Sequence, residues 1–455
     1  MVSNAKLNLR SDSVIRLFFS YFLPSLVAML ALSTYSTIDG IFVGKRLGEN
    51  ALAAIGLAWP IFPVLIAFEL LFGIGAAAMS SYFLGKGKAF RARIIFSSVF
   101  YFATISSIVG GILLFYFSDS ISLCLGASET LLPLVKEYTE IIYLGAFIIV
   151  LHPILDTFAI NDRQPILAMV AMIVGAIMNV ILNYLFIFVF DWGIRGSALA
   201  TVMGHGIGML ILLQHFLRKK GDLYLIRAFD IYAIFMATKN GIPQSSSEIS
   251  VGVMMLLFNH IIGGISGDRG LSIYSVLMYI GVIPFTILLS IAQGIQPIAS
   301  YNYGAKLLDR VRNIFVFGVL FGFFVGAFLY GLFCLFSPYI IPLFLQDGIE
   351  ARDSTLSSDI RDFMVIYFSS YLFLGINMVS AIFFQSIQQT VASLIITLSY
   401  TLIFAMIFVM ILPKIFGFVG VMYSYPLGNL CAFFVSLLVI LYEYRNGVLK
   451  NHASK

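Results

Sequence analysis

One carboxylate stands among neutral polar groups in a very apolar stretch of this chain: Asp39, with Tyr35 before it and Asn179, Asn183 and Thr201 far along the sequence. A carboxylate, two amide oxygens and a hydroxyl can hold a small hard cation. The same set lets one carboxyl gain and lose a proton. Spacing groups these residues. Asp39 precedes Lys45 by six positions, Asn183 precedes Asp191 by eight, and Thr201 follows Arg195 by six. On helices rising 1.5 Å per residue, all three then lie about 9–12 Å below one face. Tyr35 with Asp39, and Asn179 with Asn183, share helix faces at i, i+4. Membranes also use such residues as polar glue between helices, but a lone unpaired acid favours a functional reading. Asn183 withholds the second carboxylate that would help to hold sodium tightly, so a proton is the expected ion and sodium, possible at Asp39, the alternative.

Glu248 is a second candidate, in the run Gln244-Ser245-Ser246-Ser247-Glu248. It lies nine residues beyond Lys239, roughly 13 Å into a helix. There it can bind a cationic substrate or a proton, or be a hydrogen-bonded glutamate near a helix start. Methionine repacks easily and aromatic rings attract cations, which suits a cavity for varied organic cations. Glu248, Gln244, Met255 and Gln293 form the candidate substrate-binding set. Asp156 lies seven residues before Arg163 and should not join the Asp39 pocket; Glu69 falls near mid-membrane without an assigned partner. His152, His205 and His260 lack zinc spacing and read as core imidazoles. Cys124, Cys334 and Cys431 read as buried and inert. No phosphate-cradling loop, nucleophile elbow, His-Glu-x-x-His pair or heme-attachment motif occurs, so neither an enzyme nor a bound cofactor is expected.

The elements that must position these residues follow from composition. Apolar residues make up 60% of the 455 and charged residues 11%, against ~25% charged in soluble domains; mean hydropathy is +0.99. A spanning helix takes about 20 apolar residues. Twelve segments qualify: 15–42, 52–83, 94–117, 132–160, 165–189, 196–217, 231–262, 271–301, 313–337, 362–386, 391–412 and 418–441. They are too long for the ~10-residue strands of a barrel. The expected class is an all-α integral membrane protein. With a cytoplasmic N-terminus, nineteen of the 27 basic residues fall in inner loops and tails, which predicts both termini cytoplasmic in a multi-pass inner-membrane protein. The net charge of +5 is then a topological signal, not a nucleic-acid footprint. The first helix lacks a small-residue cleavage site and reads as retained.

The chain repeats itself. At a shift of 219, Pro24 meets Pro243, Gly75 meets Gly294 and Ser81-Tyr82-x-x-Gly85 meets Ser300-Tyr301-x-x-Gly304. Later the shift is 224: Tyr143 meets Tyr367, and Gly193, Gly196 and Gly204 meet Gly417, Gly420 and Gly428. The five extra residues fall within Asp347 to Asp362. Six helices per copy predict two parallel repeats, residues 1–225 and 226–455, joined by the basic linker Arg218 to Lys239. The repeat also controls for scaffold effects. Asp39 meets Phe258, Asn179 meets Ile403, Asn183 meets Ile407, Thr201 meets Tyr425 and Glu248 meets Met29. One half tolerates apolar residues where the other is polar, so folding alone does not demand the polar ones.

Pro24 to Asp39-Gly40-Ile41-Phe42-Val43-Gly44, with Leu47-Gly48 and Ala51-Leu52-Ala53-Ala54, resembles the opening of the multidrug and toxic compound extrusion (MATE) transporters. So do Asn161-Asp162-x-x-Pro165, Asn179 to Asn183 and Gly193-x-x-Gly196 with Ala200-Thr201. The second half adds Gly241-Ile242-Pro243, Glu248-Ile249-Ser250 and the specific stretch Ile291 to Pro297 and Tyr301-Asn302-Tyr303-Gly304-Ala305. The resemblance implies two six-helix lobes around a central cleft that opens alternately to each side. It also implies a monomer in membrane lipid exporting cationic, mostly aromatic compounds against protons or sodium. In that family the positions of Asp39, Tyr35, Asn179, Asn183 and Thr201 carry the coupling ion. A related flippase for lipid-linked substrates should show cavity arginines, and a major-facilitator transporter an acid before the basic residues of Gly85-Lys86-Gly87-Lys88. A lipid-modifying enzyme would need a better pair than Asp156 with His152. The sequence meets none of these three requirements.

Overall fold

The computed structural model describes residues 7–341 and 355–446. The side chain of Tyr35 lies outside the description, as do residues 347–354 of the stretch that shifts the repeat register. Every regular element among the described residues is helical. Among the described residues, ten helices are long and apolar enough to cross a membrane, or eleven with Leu132–Leu144 and Ala146–Asn161 taken as one span bent by 50°. The longest stretch, Thr390–Arg445, is divided by Gly417 at φ 56°, ψ −138°. It therefore holds two spans in series, and the tally reaches the expected twelve.

Backbone geometry carries the repeat more faithfully than side chains do. Gly267 (φ 54°) separates Ile231–Gly267 from Arg269–Gly304, as Gly417 separates the last two spans. Their counterparts at shifts of 219 and 224, Gly48 (φ 84°) and Gly193 (φ 60°), are also left-handed. A side chain there would place Cβ against the following carbonyl, so each copy breaks its helices at the same two glycines. Three breaks were not anticipated from the apolar pattern, one of them at Ser369-Ser370 within segment 362–386. Segment 52–83 is interrupted at Trp59-Pro60 and segment 132–160 bends at Gly145; hydropathy averages over such points.

Of the described residues, 7–12, 19–245 and 303–306 form one compact unit, and 13–18, 246–302, 307–341 and 355–446 another. The first contains most of α1 (Val14–Leu47), then α2 (Glu49–Ala58), α3 (Ile61–Gly85), α4 (Ala89–Tyr116), α5 (Ser118–Cys124), α6 (Leu132–Leu144), α7 (Ala146–Asn161), α8 (Pro165–Tyr184) and α9 (Gly193–Leu217). Buried Phe96, Phe158 and Phe216 join α4, α7 and α9, with ring centroids 4.6 and 4.7 Å apart. Helices α8 and α9 touch backbone to backbone. A Cβ on Gly204 would lie 2.9 Å from both Asn179 Cβ and the Gly175 carbonyl oxygen, so only glycine permits this approach.

The linker after α9 is strapped to the same unit. Asp162, at the α7–α8 turn, accepts the N–H groups of Asp222 (2.8 Å) and Leu223 (3.0 Å) and pairs with His215 Nε2 at 2.9 Å. Burial pushes its carboxyl above the usual carboxylate range, against the pull of His215 and Leu223. Arg163 pairs with Asp222. Ser97 and Ser98 of α4 accept the N–H groups of Ile226 and Asp230 at 2.9 and 2.8 Å, and Arg91 pairs with Asp230 at 2.6 Å.

The second unit contains the rest of α10 (Ile231–Gly304), then α11 (Leu308–Ile340), α12 (Thr355–Phe368), α13 (Tyr371–Ser386), α14 (Thr390–Leu398) and α15 (Phe404–Asn446). Phe258 stacks on Tyr274 (5.4 Å, 11°) and Tyr367 on Tyr425 (5.1 Å, 12°). Aromatic packing thus occupies the places where the first copy has Asp39 and Thr201.

Candidate functional site

Helices α1, α8 and α9 bring the acid and the neutral groups together. Asp39, half-buried on α1, accepts the Ser197 hydroxyl at 2.9 Å, and Asn183 of α8 hydrogen-bonds the same carboxyl. Asn183 Nδ2 also donates to Asn179 Oδ1 at 3.3 Å, and Asn179 Nδ2 to Thr201 Oγ1 at 3.5 Å. Asn179, Asn183, Ser197 and Thr201 are all buried. Asn183 Oδ1 is a buried acceptor without a donor among the described residues. Arg46, near the end of α1, pairs with Asp191 of the α8–α9 turn at 3.4 Å, both side chains exposed.

This is one polar thread through an apolar unit: Ser197, Asp39, Asn183, Asn179, Thr201. Each of the four contacts places a neutral donor against an acceptor, and the only charge in the thread is that of Asp39. The sequence reading missed Ser197. The signal was present, because Ser197 meets Val421 in the second copy and sits one turn before Thr201. Tyr35 shares the Asp39 face of α1 by spacing alone.

A small space continues the thread, with only about 10 Å³ open to the centre of a water-sized sphere, lined by Asn179, Thr201, Gly175, Gly204, His152 and His205 among others. Here two histidines that look unrelated in sequence meet, His152 Nδ1 lying 3.1 Å from His205 Nδ1. His152 is buried and its Nε2 has no partner among the described residues. One turn along α7, Asp156 Oδ1 is likewise buried and without a partner. Glu69 is buried on α3, near the α7 residue Ile154.

The candidate substrate residues are less gathered. Gln244, Glu248 and Met255 follow one face of α10 at spacings of four and seven. Gln244 is buried with Nε2 unpartnered, Glu248 is half-buried, and Met255 is 53% exposed. Gln293 is half-buried farther along α10. Gln244 belongs to the first compact unit and the other three to the second. The cysteines are free, but Cys124 is exposed and Cys334 and Cys431 half-buried. The expectation of buried thiols fails because the end of α5 is an uncovered connection.

Comparison with known proteins places this geometry in context. The MatE family model matches residues 24–185 and 243–411, one block per repeat. The chain is 26% identical over 309 residues to the multidrug export protein MepA of Staphylococcus saprophyticus, covering 67% of each chain. It is 24% identical over 447 residues to MepA of Staphylococcus aureus strain N315, covering 95% of each. Among solved structures, an outward-facing multidrug resistance MATE family transporter superposes with a TM-score of 0.90 at 21% identity, over 99% of this chain and 100% of that one. A MATE crystal structure in the bent conformation matches with the same score at 22% identity, covering 98% of each. At such identities the superpositions speak for the fold, and the family model spans both halves: the protein belongs to the MATE family of efflux transporters.

Proposed function

We propose that the protein is a proton-coupled antiporter that exports cationic, mostly aromatic compounds by alternating access, with Asp39 taking and releasing the proton. The observation that carries this reading is a lone carboxyl bonded to Ser197 and Asn183 and backed by Asn179 and Thr201. When ionised, Asp39 is an acceptor only, served by those donors. When protonated it becomes a donor, and the unpartnered Asn183 Oδ1 is a ready acceptor. One proton thus changes which hydrogen bonds join α1 to α8 and α9, and so biases two arrangements of α1. A second carboxylate, which would favour sodium, is missing from the thread.

The MepA relatives are multidrug exporters by name, which supports organic compounds as cargo. Glu248, with Gln244, Met255 and Gln293, is the proposed cation-binding set. Both termini are proposed as cytoplasmic in the inner membrane. The test is ethidium efflux from proteoliposomes holding one gradient at a time. Efflux under a pH gradient is expected. Strong efflux under a sodium gradient at symmetric pH, with none under a pH gradient, overturns proton coupling and makes the Asp39 oxygens a sodium site.

A further inference from the structure

We propose that the linker between α9 and α10, seated along α4, is a headgroup site for an anionic phospholipid, whose phosphate Arg93 and Lys219 take beside the Tyr224 ring. Three elements meet at that ring. The Arg93 guanidinium of α4 lies 4.0 Å from its centre, and Lys219 Nζ, just past the end of α9, lies 5.2 Å from it. An aromatic ring attracts a cation over its face, but it does not neutralise two. The charges lie within about one Debye length of each other, ~10 Å at 0.1 M salt, and repel where they stand.

The acids nearby in sequence are taken. Asp222 pairs with Arg163, and Asp230 with Arg91. Arg93 donates Nε–H to the Asp222 carbonyl at 2.9 Å, and its terminal amino groups have no hydrogen-bond partner among the described residues. Exposed Arg218, Lys220 and Arg227 add three cations that pair with no acid among the described residues. A phosphate diester carries the charge this cluster lacks, and Arg and Lys are the side chains that take it.

Depth selects a lipid over a soluble phosphate. Helix α4 is long and apolar enough to span, and the linker continues along it past its first turns. Ile226 donates its N–H to Ser97, and its carbonyl accepts the Tyr101 hydroxyl at 3.2 Å. Tyr101 lies eight residues beyond Arg93, roughly 12 Å along the helix axis. The linker therefore lies beside the end of a span, at the level where headgroups meet acyl chains. Phe90 and Phe229, which precede the two partners of the Arg91–Asp230 pair, are exposed, as are Ile231, Tyr232 and Phe235 at the start of α10. Aromatic side chains suit the membrane–water boundary, and a group of Lys and Arg beside a span attracts anionic lipid. A headgroup on Arg93 and Lys219 joins α4 to the end of α9 across the linker, next to the strap made by Asp162, Ser97 and Ser98.

The test uses the full chain in a neutral detergent, titrated with phosphatidylglycerol, with zwitterionic phosphatidylcholine or with inorganic phosphate. Native mass spectrometry reads bound lipid, and hydrogen exchange reads the order of residues 222–230. Phosphatidylglycerol should bind more tightly than phosphatidylcholine and slow exchange at Tyr224 and Ile226. Lys219→Gln and Arg93→Gln should each weaken it about fivefold, the equivalent of the ~1 kcal/mol that one Lys or Arg gains near an anionic surface. Lys414→Gln, which removes an exposed cation of the second unit, should leave it unchanged. Arg93 also holds the Asp222 carbonyl, so if Arg93→Gln fails to fold, Lys219→Gln decides, since that side chain makes only the ring contact among the described residues. Equal binding of the two lipids overturns the proposal, as does wild-type phosphatidylglycerol affinity in Lys219→Gln. If inorganic phosphate slows linker exchange as strongly as phosphatidylglycerol does, the cluster serves a soluble anion and the lipid assignment falls.

Discussion

Ser197 and Asn183 do for Asp39 what water does for an exposed carboxylate, and they do it from fixed positions. A hydrogen bond to a charged group is worth about 1.5–3 kcal/mol, so Ser197→Ala should lower thermal stability and slow efflux. Asp39→Asn should abolish proton-driven efflux while the protein stays monodisperse in detergent; ethidium efflux and gel filtration read the two outcomes together. Full efflux by that mutant would end the coupling role. Glu248→Gln should weaken binding of a cationic dye such as rhodamine 6G, and unchanged affinity at every pH would make Glu248 structural. Much of the pocket was legible in the sequence because depth and the repeat contrast are both one-dimensional. Asp39, Asn183 and Thr201 count to the same level, and each faces an apolar counterpart. The His152–His205 contact was not legible. It joins residues 53 positions apart, and no spacing rule encodes a meeting across two helices.

At the scale of elements, α8 and α9 are held by what they lack. Gly204→Leu would drive a side chain into Asn179 and the Gly175 carbonyl. Overpacking of that kind costs about 1–3 kcal/mol, and it should also uncouple efflux by moving Asn179 off Thr201. The linker answers to pH. Burial opposes ionisation of Asp230, but Arg91 and the N–H groups of Ala233 and Tyr232 outweigh it and hold the carboxyl below its usual range. A depressed acid stabilises the fold above its unfolded pKa and loses that contribution as pH falls through the folded value. Hydrogen exchange at Asp230, Tyr232 and Ala233, corrected for intrinsic rate, should therefore rise in acid. Asp230→Asn should show the fast exchange at neutral pH. Apolar runs predicted the spans, whereas the interruptions at Trp59-Pro60 and Gly145 were invisible to them, because a kink changes direction without changing hydropathy.

For the whole molecule, the proposed orientation puts the exposed Cys124 of α5 outside the cell. A membrane-impermeant maleimide should label it in intact cells and leave a cysteine placed at Tyr224 in the linker unlabelled; the reverse pattern would invert the topology. The duplication has a further consequence. The two copies offer equivalent seats, and only one holds an acid: Asp39 in the first, Phe258 stacked on Tyr274 in the second. If one such seat sets the exchange, one proton enters for each monovalent dye that leaves, and no net charge crosses the bilayer. Transmembrane voltage, worth about 2.3 kcal/mol per charge per 100 mV, then does no work on the cycle. Clamping the potential with valinomycin and potassium should leave ethidium efflux under a fixed pH gradient unchanged, while export of a dication would run against an interior-negative potential. The pump would draw on acidity alone, and a cell that collapsed its voltage but kept its pH gradient would go on clearing monovalent drugs.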